Sequence, residues 1–164
     1  MPIKPAFFWS SFVFLLLFSG CATTTGTQTG TLTIAVWDVE NIPYDASSRE
    51  DLGQIFSSEI MEVIRNKGSV QVVERQRLLL VLEELNLGSS DLAKENTRLR
   101  IGKIAGAHQM VFGAYQVMGD TMRIDLRLVD VSTGKIVRAA QKTTMEAGIS
   151  AWLEAARSAA GELL

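Results

Sequence analysis

A mixed α/β fold is what the order of apolar periodicities predicts for this 164-residue chain. Three observations carry the prediction. Apolar residues alternate at 32–37 and again in three runs between 110 and 144, as half-buried strands require. They recur at helical spacing over 52–64, 78–85 and 149–163. The two patterns interleave first and then give way to consecutive strands. The order read is β-α-β-α-α-β-β-β-α, a mixed β-sheet with flanking helices whose last three strands form an antiparallel meander.

Each element has its own warrant. Leu32, Ile34 and Val36 alternate with Thr33, Ala35 and Trp37 in the first strand. Ser47 with Glu50 and Ser48 with Asp51 form two overlapping capping boxes. Behind them Leu52, Ile55, Phe56, Ile60, Val63 and Ile64 make a helical stripe, closed by Asn66-Lys67-Gly68. Val70, Val72 and Val73 form a short strand. A helix from about Arg75 to Leu87 buries Leu78, Val81, Leu82 and Leu85 and stops at Gly88. Asn96 or Thr97 caps a further short helix that ends at Gly106. Strands at 110–117, 122–131 and 136–144 are joined by Gly119-Asp120 and Ser132-Thr133-Gly134-Lys135, both turn signals. Ile149, Trp152, Leu153, Ala156, Ala160 and Leu163 share one stripe of the last helix.

The N-terminus is of another kind. Lys4 precedes an apolar run from Ala6 to Phe18, too short for the roughly 20 residues a membrane-spanning helix needs. Small residues Ser19-Gly20 follow, then Cys21, the sole cysteine. A positive start, a short apolar core and small residues at a cut describe a secretory signal peptide. The segment Leu17-Phe18-Ser19-Gly20-Cys21 resembles the lipobox of bacterial lipoproteins, with Phe18 where Leu is usual. That resemblance implies lipidation of Cys21, and Ala22 after it is consistent with export to the outer membrane. The expected organisation is a signal peptide at 1–20, a lipidated Cys21 with a flexible tether at 21–30, and one domain at 31–164. The tether sequence Ala22 to Gly30 has no apolar periodicity.

Composition narrows function. The chain carries 16 Lys and Arg against 18 Asp and Glu, a net charge of −2, and losing Lys4 makes it more negative. Such a chain has no overall attraction for nucleic acid. With the thiol lipidated no disulfide can form, so the core alone must stabilise the domain. His108 is the sole histidine. A metal site or a nucleophile–base pair built on it lacks a second His or Cys, so no metal, cofactor or catalytic residue is expected. Gly102 and Gly106 do not open a helix after a strand, which argues against a phosphate cradle.

Carboxylates remain. Asp38 and Glu40 leave the first strand with the same facing, and Arg123, Asp125 and Arg127 share the polar face of one strand, where cross-strand ion pairing is the ordinary outcome. Asp130 stands before a Ser-Thr-Gly turn and is expected to accept its N–H groups. Two features point to contacts. Leu80 and Leu87 fall opposite the buried face of their helix, either as a partner surface or beneath the 88–96 connection. Glu59 lies within the apolar stripe of the first long helix, where it is solvated at the rim, faces a cation such as Arg75, or serves an oligomer contact.

Together these residues resemble a family. Thr33 to Val36 leading to Glu40-Asn41, then Val72-Val73-Glu74-Arg75 before a leucine-rich helix, form one half of the likeness. Gly102 to Ala107, Val111-Phe112-Gly113, and Leu126 to Val131 with Thr133-Gly134 form the other. The pattern looks like the periplasmic domain of the curli-secretion lipoproteins (CsgG-like), a fold shared with FlgO and with LpoB-type activators of penicillin-binding proteins. It spans roughly 31–145, and its signature positions here are Glu74, Arg75, Gly106, Gly113, Asp130 and Gly134. His108 stands where the family commonly has Asp, and Trp37-Asp38 replaces a Leu/Pro-type step. No connection is long enough for the hairpins of a pore, since each spanning strand takes about 9–11 residues. The resemblance implies a non-enzymatic outer-membrane lipoprotein on the periplasmic face, a binding or assembly accessory in curli- or flagellum-type biogenesis. Its alternative is an activator of a peptidoglycan synthase. A periplasmic protein partner and a homo-oligomer are implied with it.

Overall fold

A computed structural model describes residues 31–43 and 52–164. Five strands lie in the order β3-β1-β4-β5-β6, with the two-residue β2 continuing beside β4. They are β1 (Leu32–Val36), β2 (Glu40–Asn41), β3 (Val70–Val73), β4 (Gln109–Met118), β5 (Thr121–Asp130) and β6 (Ile136–Thr144). Pairings β3–β1, β1–β4 and β2–β4 are parallel, and β4–β5–β6 is an antiparallel meander. The helices are α1 (Gly53–Asn66), α2 (Arg75–Leu85), α3 (Ser89–Leu92), α4 (Glu95–Ile104) and α5 (Ile149–Glu162). The order anticipated from sequence holds, with β2 and α3 added. Both additions are too short to leave a periodic signal.

The sheet separates two cores. On one face α1 and α5 bury Phe56, Ile60 and Ile64, and Ala155, Ala156, Ala159 and Ala160, against Ile34, Val36, Val111, Tyr115 and Ile124. The alanine stripe lets α5 approach the strands closely. Phe56 meets Tyr115 edge to face at 4.9 Å, and the Tyr115 hydroxyl accepts the Leu52 N–H at 2.8 Å. On the other face α2 and α4 cover Ala35, Val73, Met110, Phe112 and Val129 with Leu78, Val81, Leu99 and Ile101. Gly102 is what brings α4 so close, because a Cβ there would stand 2.1 Å from the Met110 sulfur.

Several boundaries differ from the sequence reading. Ile55 and Ile149, read as core, are exposed, because each sits at the start of its helix and off the stripe that faces the sheet. The α2 helix ends before Gly88, as Asn86 takes the left-handed conformation (φ 47°); Asn tolerates it better than most residues. Lys94, rather than Asn96 or Thr97, caps α4, its extended backbone offering its carbonyl to Thr97 and Arg98 N–H. Glu95 then falls in the first turn, where a carboxylate complements the helix dipole. The capping boxes at 47–51 lie outside the described residues, as do Cys21 and the whole of 1–30.

A candidate partner-binding site on the open half of the sheet

Coverage of the second face stops at α4. The β5–β6 connection is a tight turn, and the chain after β6 crosses to pack α5 on the first face, so among the described residues no helix lies over the outer meander. A groove of about 450 Å³ remains there, floored by Phe112, Ala114, Asp125, Arg127, Ala139 and Gln141 and walled by Glu40 and Arg98.

The wall depends on a bulge. Val36 pairs with Val111 and Glu40 with Ala114, so one extra residue is accommodated at 37–39. Ser57, itself buried, holds it: its hydroxyl accepts the Val39 N–H at 2.9 Å and donates to the Gly53 carbonyl at 2.7 Å. The bulge delivers both carboxylates to arginines on the second face. Asp38 receives Arg75 through two bonds, 3.0 and 2.6 Å, and Glu40 pairs with Arg98. Arg98 also lies over the Trp37 ring at 5.7 Å. From the floor, Arg127 reaches Glu95 at 2.7 Å and lies over Phe112 at 5.7 Å. Arg123 grips Asp125 at 2.7 Å through both oxygens, and donates to Gln141 at 3.1 Å.

Every carboxylate in the groove thus has an arginine partner, and guanidinium planes stand on two aromatic rings. Forked donors and ring faces of this kind can engage an extended polar segment of another chain. The more exposed of these ion pairs are each worth about 0–1 kcal/mol to the fold. Sequence reading placed Arg123, Asp125 and Arg127 on one face but expected cross-strand pairs. The Arg123–Asp125 pair lies within β5, and Arg127 turns to α4 instead. Glu95 and Arg98 were not foreseen, since helix periodicity alone does not reveal which strand residues α4 overlies.

The remaining sequence-marked residues are spread through the fold. Glu74 pairs with Arg65 at 2.9 Å just before α2. Gly106 (φ 91°) and Gly134 (φ 68°) hold left-handed turns. Gly113 has no room for a Cβ, which would stand 2.5 Å from Leu126 and 3.3 Å from Val39. Asp130 Oδ1 accepts both the N–H and hydroxyl of Ser132 and of Thr133. Those bonds, the Ser132 hydroxyl foremost, lower its pKa to about 2. His108 lies far from the groove, its Nδ1 accepting the Thr33 N–H at 3.2 Å. Leu80 is exposed, whereas Leu87 packs against the second core. Glu59 meets Arg157 of α5 at 2.8 Å rather than Arg75. Among the described residues no group of His, Cys, Asp and Glu could hold a metal ion, and no helix is long and apolar enough to cross a membrane.

The sheet, parallel at one edge and antiparallel at the other, can be compared with known proteins. The chain belongs to the CsgG family, described as the curli production assembly/transport component, whose profile matches residues 19–118. No curated protein matches it in sequence. Among solved structures, the LpoB C-terminal domain from Salmonella enterica is similar with TM-score 0.59 and 17% identity, over 70% of this chain and 82% of that one. Lipoprotein GNA1162 from Neisseria meningitidis is similar with TM-score 0.54 and 16% identity, over 74% and 88%. A PelC dodecamer from Paraburkholderia phytofirmans gives 0.51 and 18%, over 80% and 87%. At these identities the likeness is one of fold.

Proposed function

We propose that this protein is a non-enzymatic accessory lipoprotein of the outer membrane that holds its CsgG-like domain against a periplasmic partner. The observation that carries the reading is the open half of the sheet face, lined by paired arginines and carboxylates, in a chain of the CsgG family. Residues 1–20 act as a signal peptide, Cys21 takes the lipid, and 22–30 tether the domain at 31–164. A tether of that length spans only about 30 Å when extended, which keeps the groove near the membrane. Two or more acyl chains give stable anchoring. The partner class is a component of secretion or surface-fibre assembly of the curli or flagellar type. The turns of the β4–β5–β6 meander are short, so the domain contributes contacts there rather than pore hairpins.

A second reading is an activator of a peptidoglycan synthase, favoured by the fold likeness to LpoB. The short tether counts against it, because the domain would have to reach across the periplasm. Cross-linking a C-terminally tagged protein in cells, followed by mass spectrometry, separates the two. Secretion or fibre components are the expected capture, and a penicillin-binding protein would establish the second reading instead. Turnover of a cell-wall substrate by the purified protein would overturn both. Cys21→Ser should move the protein from the membrane to the soluble fraction; continued membrane association would refute the anchor.

A further inference from the structure

Strand direction fixes which end of the domain the tether reaches. β1, β3 and β4 start on one side, since Leu32 pairs with Val70 and Ile34 with Gln109. β5 finishes there, with Asp130 opposite Gln109. Thr31, where the described domain begins, therefore lies at the same end as the last turns of α1 and α4, which lead into β3 and β4.

Three lysines gather at that end. Lys67 caps α1, Lys103 stands in the last turn of α4, and Lys135 ends the β5–β6 turn, its carbonyl accepting the Asp130 N–H. Each is exposed and has no ion-pair partner among the described residues. Leu32 and Ile104, at the same end, are 36% and 44% exposed. Lys103 and His108 also line a recess of about 360 Å³ with Gly106, Asp130 and Ser132. Because the His108 Nδ1 accepts the Thr33 N–H, the neutral ring carries its hydrogen on Nε2, a donor. Asp130 is the carboxylate of the recess, and one of its oxygens already accepts four hydrogen bonds from Ser132 and Thr133.

The opposite end has the other sign. Asp120, in the β4–β5 turn, and Glu146, after β6, are exposed and have no ion-pair partner among the described residues. A net charge of −2 thus conceals a separation of charge along the strands.

We infer that the tether end seats on the phospholipid surface, with Lys67, Lys103 and Lys135 against lipid phosphates, Leu32 and Ile104 at the headgroup boundary, and one headgroup phosphate in the Lys103–His108 recess. This rests on the lipid anchor of the proposed function. Two observations commit the occupant. Residues 22–30 hold this end within about 30 Å of the anchoring leaflet. Lysines beside apolar side chains suit a phosphate-bearing surface, whose attraction falls away within about one Debye length. Seated this way, the strands stand upright on the membrane. The far end then faces the periplasm, and the open half of the sheet is left free at the side.

The test uses the full-length chain, purified with its anchor and reconstituted on vesicles. A fluorophore is attached through Ile104→Cys or, at the far end, through Met145→Cys, a site 82% exposed. A nitroxide carried on lipid headgroups quenches a fluorophore that touches them. On vesicles of phosphatidylethanolamine with phosphatidylglycerol, the label at Ile104→Cys should be strongly quenched and the label at Met145→Cys should not. On phosphatidylcholine alone, or in high salt, the quenching at Ile104→Cys should fall. Lys67→Gln, Lys103→Gln and Lys135→Gln should weaken the seating by about fivefold each, at an unchanged urea midpoint. Equal quenching at both sites, or quenching indifferent to phosphatidylglycerol and to the lysines, would overturn the inference. No quenching at Ile104→Cys would assign this end to another occupant and overturn it as well. Dye on a chain with no introduced cysteine would show Cys21 unlipidated and refute the anchor. In that case Ile104→Cys is measured again in the Cys21→Ser chain: quenching there would leave the surface standing, and its absence would refute both.

Discussion

The two faces of the sheet are built to different ends. Under α1 and α5 the first face is closed from β1 to β6 by large side chains and an alanine stripe. The second face is closed only as far as α4, and beyond it the side chains become arginine, aspartate, alanine and glutamine. A domain of this size gains its stability from packed apolar surface, and the first face supplies most of it. The second face leaves two or three strands, about one helix diameter, free for another molecule. In the proposed function, stability and recognition are divided between the two sides of a single sheet.

Substitutions on the closed face should cost most. Phe56→Ala removes the ring against Tyr115 and should destabilise by about 3–5 kcal/mol, read from the urea midpoint at unchanged slope. Gly113→Ala drives a Cβ into Leu126 and Val39 and should cost about 1–3 kcal/mol. Pairing it with Leu126→Ala should give less than the sum of the two, because they contend for one space. Ser57→Ala strips the Val39 N–H of its partner beside the bulge, a loss of about 1–3 kcal/mol. On the open face Arg127→Ala should change stability by less than about 1 kcal/mol while sharply reducing partner capture. Equal losses on both faces would erase the distinction.

The smallest effect is a pH dependence. The hydrogen bonds from Ser132 and Thr133 hold the pKa of the Asp130 carboxyl at about 2, below the ordinary carboxylate range. Its contribution is therefore full above about pH 4 and is lost as pH falls toward 2. Asp130→Asn should flatten that part of the acid unfolding curve and leave the neutral region's shape unchanged. An unaltered acid limb would mean that the turn's hydrogen bonds to the carboxylate do not contribute.

Much of this fold is legible in the chain because its signals are local. Alternation at 32–37 and through the meander, and the spacing of Phe56, Ile60 and Ile64, name their elements directly. The turn role of Asp130 is equally local, three residues from its partners. Ile55 and Ile149 were misplaced because periodicity does not say where a helix leaves the sheet. The groove was only half visible. Arg123, Asp125 and Arg127 could be placed on one face, but Glu95 and Arg98 become neighbours of β2 and β5 only through packing. That the described helices leave the outer meander bare is a property of chain crossings, which no window of residues displays.

A photo-reactive residue installed at Gln141, in the groove, and separately at Glu154, exposed on α5, addresses the central claim in intact cells. The account predicts an adduct with a protein other than itself from Gln141 and none from Glu154. Adducts from Glu154 alone, or equally from both sites, would contradict the assignment of recognition to the open face.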